Sequence, residues 1–207
     1  MKKLLVLSVV LTMFAQASWA AGSVESLWGQ AAKFENTLKA ALPGDAPDPA
    51  AALRVAKRGV DQNYRLEMDY GMLHNTAAEV KTELSGSPKA ERVEYLMKFL
   101  SDALPVEGDK MQRLANSVDY LSYEMPAKPD AELKQAVKDL DAGMGRTLES
   151  VRGFEAKANA LKAAVTQAGS ALGERTPWLA EKLVEDAAAG TKYFDYYRQR
   201  MAKIAAR

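Results

Sequence analysis

The sequence predicts an all-α protein, an elongated antiparallel helical bundle of about six helices with long coiled-coil-like rods. Three observations carry that expectation. Apolar residues recur every three or four positions along most of the chain, and no stretch alternates in the way a strand does. Proline and glycine gather at a few places, notably Leu42 to Asp48, Ser85-Gly86-Ser87 and Pro126 to Pro129, leaving long uninterrupted stretches between them. Hydrophobic content of 48% and charged content of 27% over 207 residues fit one ordinary globular domain.

Residues 1–20 read as a signal peptide. Lys2 and Lys3 make a positive start, Leu4 to Phe14 is an apolar run broken only by Ser8 and Thr12, and Ser18 and Ala20 hold the small-residue positions of a cleavage site after Ala20. As a helix the apolar run rises about 16 Å, far short of the ~30 Å hydrocarbon layer. No Cys follows it to carry a lipid. The expected mature chain is therefore a single helical domain over 21–207, with no transmembrane segment, exported to a bacterial periplasm. Losing Lys2 and Lys3 moves the net charge from +1 to −1.

Taken in order, the first expected helix covers about 24–42, with Leu27, Trp28, Phe34 and Leu38 on one face. The second starts with Asp48 as N-cap and Pro49 at the first position and continues to Leu84. Its apolar residues fall on two faces: Leu53, Ala56, Val60 and Tyr64, then Leu66, Tyr70, Leu73 and Ala77. The change predicts a bend or a switch of partner near 61–66. The third helix opens at Ser87-Pro88 and stops near Leu104-Pro105, since an internal proline breaks the hydrogen-bond ladder. The fourth covers about 109–125. The fifth runs from Pro129 to about Leu172 with a heptad seam through Leu133, Val137, Leu140, Met144, Leu148 and Val151. The sixth opens at Thr176-Pro177 and carries a matching seam through Leu183, Phe194, Tyr197 and Met201. The short link between the last two makes them an antiparallel pair. Gly143, Gly145, Gly153 and Gly169 each cost the fifth helix up to ~1 kcal/mol relative to Ala, which points to close helix packing or to a rod that flexes.

Composition excludes several functions. Zero Cys removes disulfides, thiolate zinc sites, c-type haem and Cys nucleophiles, and one His removes sites that need two. The balanced charge argues against nucleic-acid binding. No phosphate-cradling Gly-rich loop, Gly-x-Ser-x-Gly or His-Glu-x-x-His occurs. No catalytic, cofactor or metal residues are assigned, and the expectation is a non-enzyme. Met68, Met72 and His74 invite a soft-metal reading, but at 100° per residue they cannot converge from one helix, so His74 is expected at the rim of the seam. The residues carry no resemblance to a known family.

Two functional expectations follow. The first is a non-catalytic periplasmic protein acting through surface contacts, as adaptor, holdase or envelope-stress factor, with a protein or envelope partner. The second is a carrier of a small ligand, metal or haem held inside the bundle. The candidate partner surface is the stripe Lys192, Tyr196, Arg200, Lys203 and Arg207, spaced to share one helix face within about 80°. Five cations against Asp195 alone give segment 191–207 a local charge of +4. Such a stripe suits an acidic protein patch or anionic headgroups, and cations at a helix C-terminus also complement its dipole.

Overall fold

Four long helices make the fold in the computed structural model, which describes residues 47–207. They are α1 (Pro49–Leu84), α2 (Ala90–Glu124), α3 (Ala131–Ala168) and α4 (Arg175–Ala205), with one 3-10 turn at Gly169–Ala171 and no strand among the described residues. The expected helix at 24–42 and the signal peptide lie outside the described residues.

Of the about six helices expected, five fall in this region, and they are corrected to four, because the two segments expected either side of Pro105 are one helix. α2 runs through Pro105. An internal proline costs a helix about 3 kcal/mol or more. Here Leu100, Leu104, Met111 and Leu114 on both sides of it are buried in the same seam, and breaking the rod would pull one set out of the core. Tertiary burial outweighs the local penalty.

The change of face near 61–66, expected to mark a bend or a switch of partner, is absent from the buried positions. The buried positions of α1 are Ala52, Ala56, Gly59, Asn63, Leu66, Tyr70, Leu73, Ala77 and Val80, alternating gaps of four and three without a slip. The apparent change of face arose from large apolar residues. Leu53 and Val60 only flank the core, and Tyr64 is 61% exposed, while small and polar residues fill the seam. The other helices keep the same alternation: Val93, Met97, Leu100, Leu104, Glu107 in α2, Leu140, Met144, Thr147, Val151, Phe154 in α3, and Leu183, Ala187, Gly190, Phe194, Tyr197 in α4. A seven-residue repeat of this kind is what a coiled-coil seam requires.

Local signals set the ends. The Asp48 carboxylate accepts from the Ala50 and Ala51 amides, and Asp130 accepts from that of Leu133. The Ser87-Pro88 and Thr176-Pro177 pairs do not cap in the same way: α2 starts after Lys89 and α4 after Glu174, with Thr176 inside the first turn and fully buried. α3 stops earlier than expected, at Gly169, whose φ of +54° is left-handed backbone that glycine enters without a Cβ penalty.

Cross-helix contacts give the arrangement. α1 packs on α2 and α3, and α4 packs on the same two. Asp69–Lys110 and Glu79–Arg92 pair α1 antiparallel to α2, and Asp141–Arg198 and Lys162–Glu181 do the same for α3 and α4. Lys57–Glu132, Glu67–Arg146 and His74–Ser150 rise together along α1 and α3, so the two hairpins meet through parallel helices. Close approach is needed where a Cβ on Gly143 would stand 2.8 Å from the Asn63 amide nitrogen and one on Gly59 2.9 Å from Leu140 Cδ2. The glycines are thus spacers between α1 and α3. No helix of the described residues is long and apolar enough to cross a membrane.

Because the seam, and not α2's own ladder, holds the helix across Pro105, Pro105→Ala should stabilise the protein by on the order of 1–3 kcal/mol. Urea unfolding measures this directly; a less stable variant would show that the proline is part of the packing.

Candidate functional site

The structure gives the residues of the stripe read from the last helix different surroundings. Lys192, Lys203 and Arg207 are exposed and Tyr196 is 42% exposed. Arg200 is not available in the same way. Its side chain is 15% exposed, pairs with Asp119 of α2 at 2.7 Å, donates to Ser122 Oγ at 3.3 Å and lies 5.8 and 5.7 Å from the ring centres of Tyr196 and Tyr197. Arg200 is a fastener between α4 and α2. A glutamate there would face Asp119, so charge reversal at this position tests folding before it tests docking.

Arg207 finds different company. Beside Arg207, the groove between α3 and α4 holds a pocket of about 170 Å³ lined by Lys134, Lys138, Met125, Val137 and Ile204. Lys134 and Lys138 belong to the start of α3, some seventy residues earlier in sequence. No helical periodicity within one element brings those positions together. The signal that could have found them is the antiparallel pairing of the last two helices, which sets the start of one beside the end of the other.

His74 sits half-buried where α1 meets α3. Its Nε2–H donates to the Ser150 carbonyl at 2.9 Å, a choice of tautomer fixed because a carbonyl only accepts. The ring meets Phe154 edge-on at 5.9 Å, and Gly153 leaves room for it, since a Cβ there would stand 3.4 Å from His74 Cε1. Burial holds its pKa below the ordinary histidine value. Met68 and Met72 point elsewhere, 56% and 59% exposed. The expected rim position is the one found, and the three side chains do not converge. Among the described residues no group of three His, Asp or Glu side chains is placed to hold a metal.

A charge in the core was missed by the sequence reading. Glu107 is 5% exposed and occupies a seam position between Leu104 and Met111. Lys110 bridges it to Asp69, at 2.8 and 2.6 Å. The second oxygen of Glu107, Oε2, is buried with no hydrogen-bond partner among the described residues. Desolvation dominates and raises the Glu107 pKa above the ordinary carboxylate value, against the opposing pull of Lys110. Tyr70, whose hydroxyl is buried near Glu107, is pushed well above the usual phenol value by burial and then by that charge.

The sign of the pH effect follows. A carboxyl whose folded pKa is raised favours the native state when protonated, and that contribution is lost as pH rises from its unfolded value near 4.5 through the raised folded value. Glu107→Gln removes this titration while keeping an acceptor for Lys110. The stability of the variant relative to wild type should increase between about pH 4 and 7, measured by urea unfolding at each pH. A constant difference across that range would show that Glu107 is comfortably ionised in the core.

No family model, curated protein or solved structure matches the chain.

Proposed function

We propose that the chain is a non-catalytic helical protein of the bacterial periplasm that acts through surface contacts, as an adaptor, holdase or envelope-stress factor. The observation that carries this reading is an apolar stripe on the outside of α1. Tyr64, Met68 and Met72, four residues apart, are 61%, 56% and 59% exposed. The seam of the same helix is filled by other residues, Gly59, Asn63, Leu66, Tyr70 and Leu73 over this stretch, so the three large apolar side chains of the stripe stand in water outside it. Core packing therefore does not account for the stripe. Methionine is unbranched and polarizable and adapts to irregular apolar partners, which suits contact with unfolded or variable clients.

The test is Met68→Glu with Met72→Glu. Both positions are outside the seam, so the melting temperature should change little, surface substitutions usually staying within about 0.5 kcal/mol. Suppression of aggregation of a thermally denatured client should fall severalfold. An equally active double variant, or a wild-type protein that neither suppresses aggregation nor retains an envelope partner, would sink the proposal.

Export is part of the same reading and rests on residues 1–20. N-terminal sequencing of protein recovered from the periplasmic fraction should begin at Ala21. Recovery of Met1 would overturn it.

A further inference from the structure

We infer that the pocket between the start of α3 and the end of α4 binds a small anionic amphiphile, a carboxylate head on a short aliphatic stem. The reading is independent of the α1 stripe. Two features of the pocket set the chemistry. Its inner wall is apolar and buried: Met125, Val137 and Ile204 are 8%, 1% and 2% exposed. Its rim holds three cations drawn from two helices, Lys134 and Lys138 from α3 and Arg207 from the last turn after α4.

The charge arrangement here departs from the rest of the groove. Higher along the α3–α4 contact three cations each face an acid: Arg198 meets Asp141 at 2.7 Å, Arg152 meets Asp195 at 3.3 Å and Lys162 meets Glu181 at 3.7 Å. At the pocket, three cations share one lining. Among the described residues none of Lys134, Lys138 and Arg207 has an ion-pair partner, and no acidic side chain lines the pocket. The acids nearest in sequence point to other partners: Glu132 pairs with Lys57, Asp139 accepts from Gln135, Asp130 caps α3 and Asp141 pairs with Arg198. The dipole of α4 favours Arg207 at its C-terminal end, but Lys134 lies at the start of α3, where the dipole is positive and a cation gains nothing. An anion in the pocket balances the three charges that line it.

Size and lining narrow the ligand. A volume of about 170 Å³ is below the roughly 300–1,000 Å³ of sites for drug-sized ligands, so the stem is short. An apolar wall gives a purely inorganic anion nothing to bury, and a cationic rim gives a neutral alkyl chain no head contact. The same head-and-stem chemistry is met in a free medium-chain carboxylate and in a fatty acid at a bilayer surface.

The experiment titrates the full chain with octanoate, reading heat and the amide resonances of Val137 and Ile204. Octanol and inorganic phosphate supply the stem without the charge and the charge without the stem. The expected result is saturable octanoate binding that shifts both resonances, with neither control binding at the same concentration. Lys134→Gln with Lys138→Gln should weaken octanoate at least tenfold at an unchanged melting temperature. Should that pair unfold the protein, Arg207→Gln, beyond the last helical turn, should weaken it at least threefold. Absence of saturable octanoate binding, equal binding of octanol, or binding indifferent to the rim substitutions would overturn the inference. Sedimentation with phosphatidylcholine vesicles, with and without oleate, separates the two sources. Oleate-dependent binding that needs Lys134 and Lys138 places the ligand at a membrane; octanoate binding without vesicle binding assigns the site to the free carboxylate.

Discussion

A seven-residue repeat on all four helices is the constraint on which the rest of the structure depends. α1 buries one residue in every step of three or four from Ala52 to Val80, and α4 does so from Thr176 to Ile204 except at the half-buried Gly190. A seam of that period faces its partners along its whole length only if the helices run side by side. The rods are accordingly long, 36 residues in α1 and 38 in α3. Pro105 is carried inside α2 because the seam on both sides of it is committed. Gly59 and Gly143 let α1 and α3 approach closely enough for Leu140 and Asn63 to fill the space between them. The salt bridges line the flanks of the seams and follow from the register that the seams set.

The seam is not wholly apolar, and its polar members bear on register. Asn63, Glu107, Thr147 and Thr176 are all buried. A polar group in such a place lowers stability and penalises alternative alignments that leave it without compensation. Glu107 shows the balance most clearly. Lys110, shared with Asp69, answers one of its oxygens, the other is buried without a hydrogen-bond partner among the described residues, and desolvation outweighs the attraction of Lys110. Shifting α2 by one heptad along α1 would take Glu107 and Lys110 away from Asp69. We read the Asp69–Lys110–Glu107 chain as a register lock between the first two helices, dearer in free energy than an apolar residue and more selective.

The outside of the bundle divides into distinct kinds of surface. Arg200 has been drawn inward to Asp119 and the tyrosines of α4, which turns the most basic-looking helix face into an interhelix joint. The apolar stripe of Tyr64, Met68 and Met72 stands on the opposite element, α1, and the cationic pocket lies at the end where α3 begins and α4 finishes. The two surfaces use different chemistry and belong to different helices, so each can be altered without the other.

Much of this was written in the chain. The all-helical class, the Asp48 cap, the turn at Ser85-Gly86-Ser87, the α3 seam and the antiparallel α3–α4 pair follow from the 3.6-residue period and from backbone chemistry, which act within a few residues of each other. His74 at the rim was legible for the same reason. What the sequence could not decide were the positions where distant segments compete. Pro105 reads as a break because its penalty is local, whereas the burial that outweighs it comes from the other three helices. Leu53, Val60 and Tyr64 read as core because hydrophobicity is a property of the residue, whereas Ala52, Ala56, Gly59 and Asn63 hold the seam, where α3 comes close at Leu140 and Gly143. Arg200 reads as a free cation because Asp119 lies on another helix, and Lys134, Lys138 and Arg207 become one site only when chain reversal sets the start of α3 beside the end of α4. Local period and capping fixed the helices; packing, which depends on what stands opposite, chose the residues that face inward and those left to act.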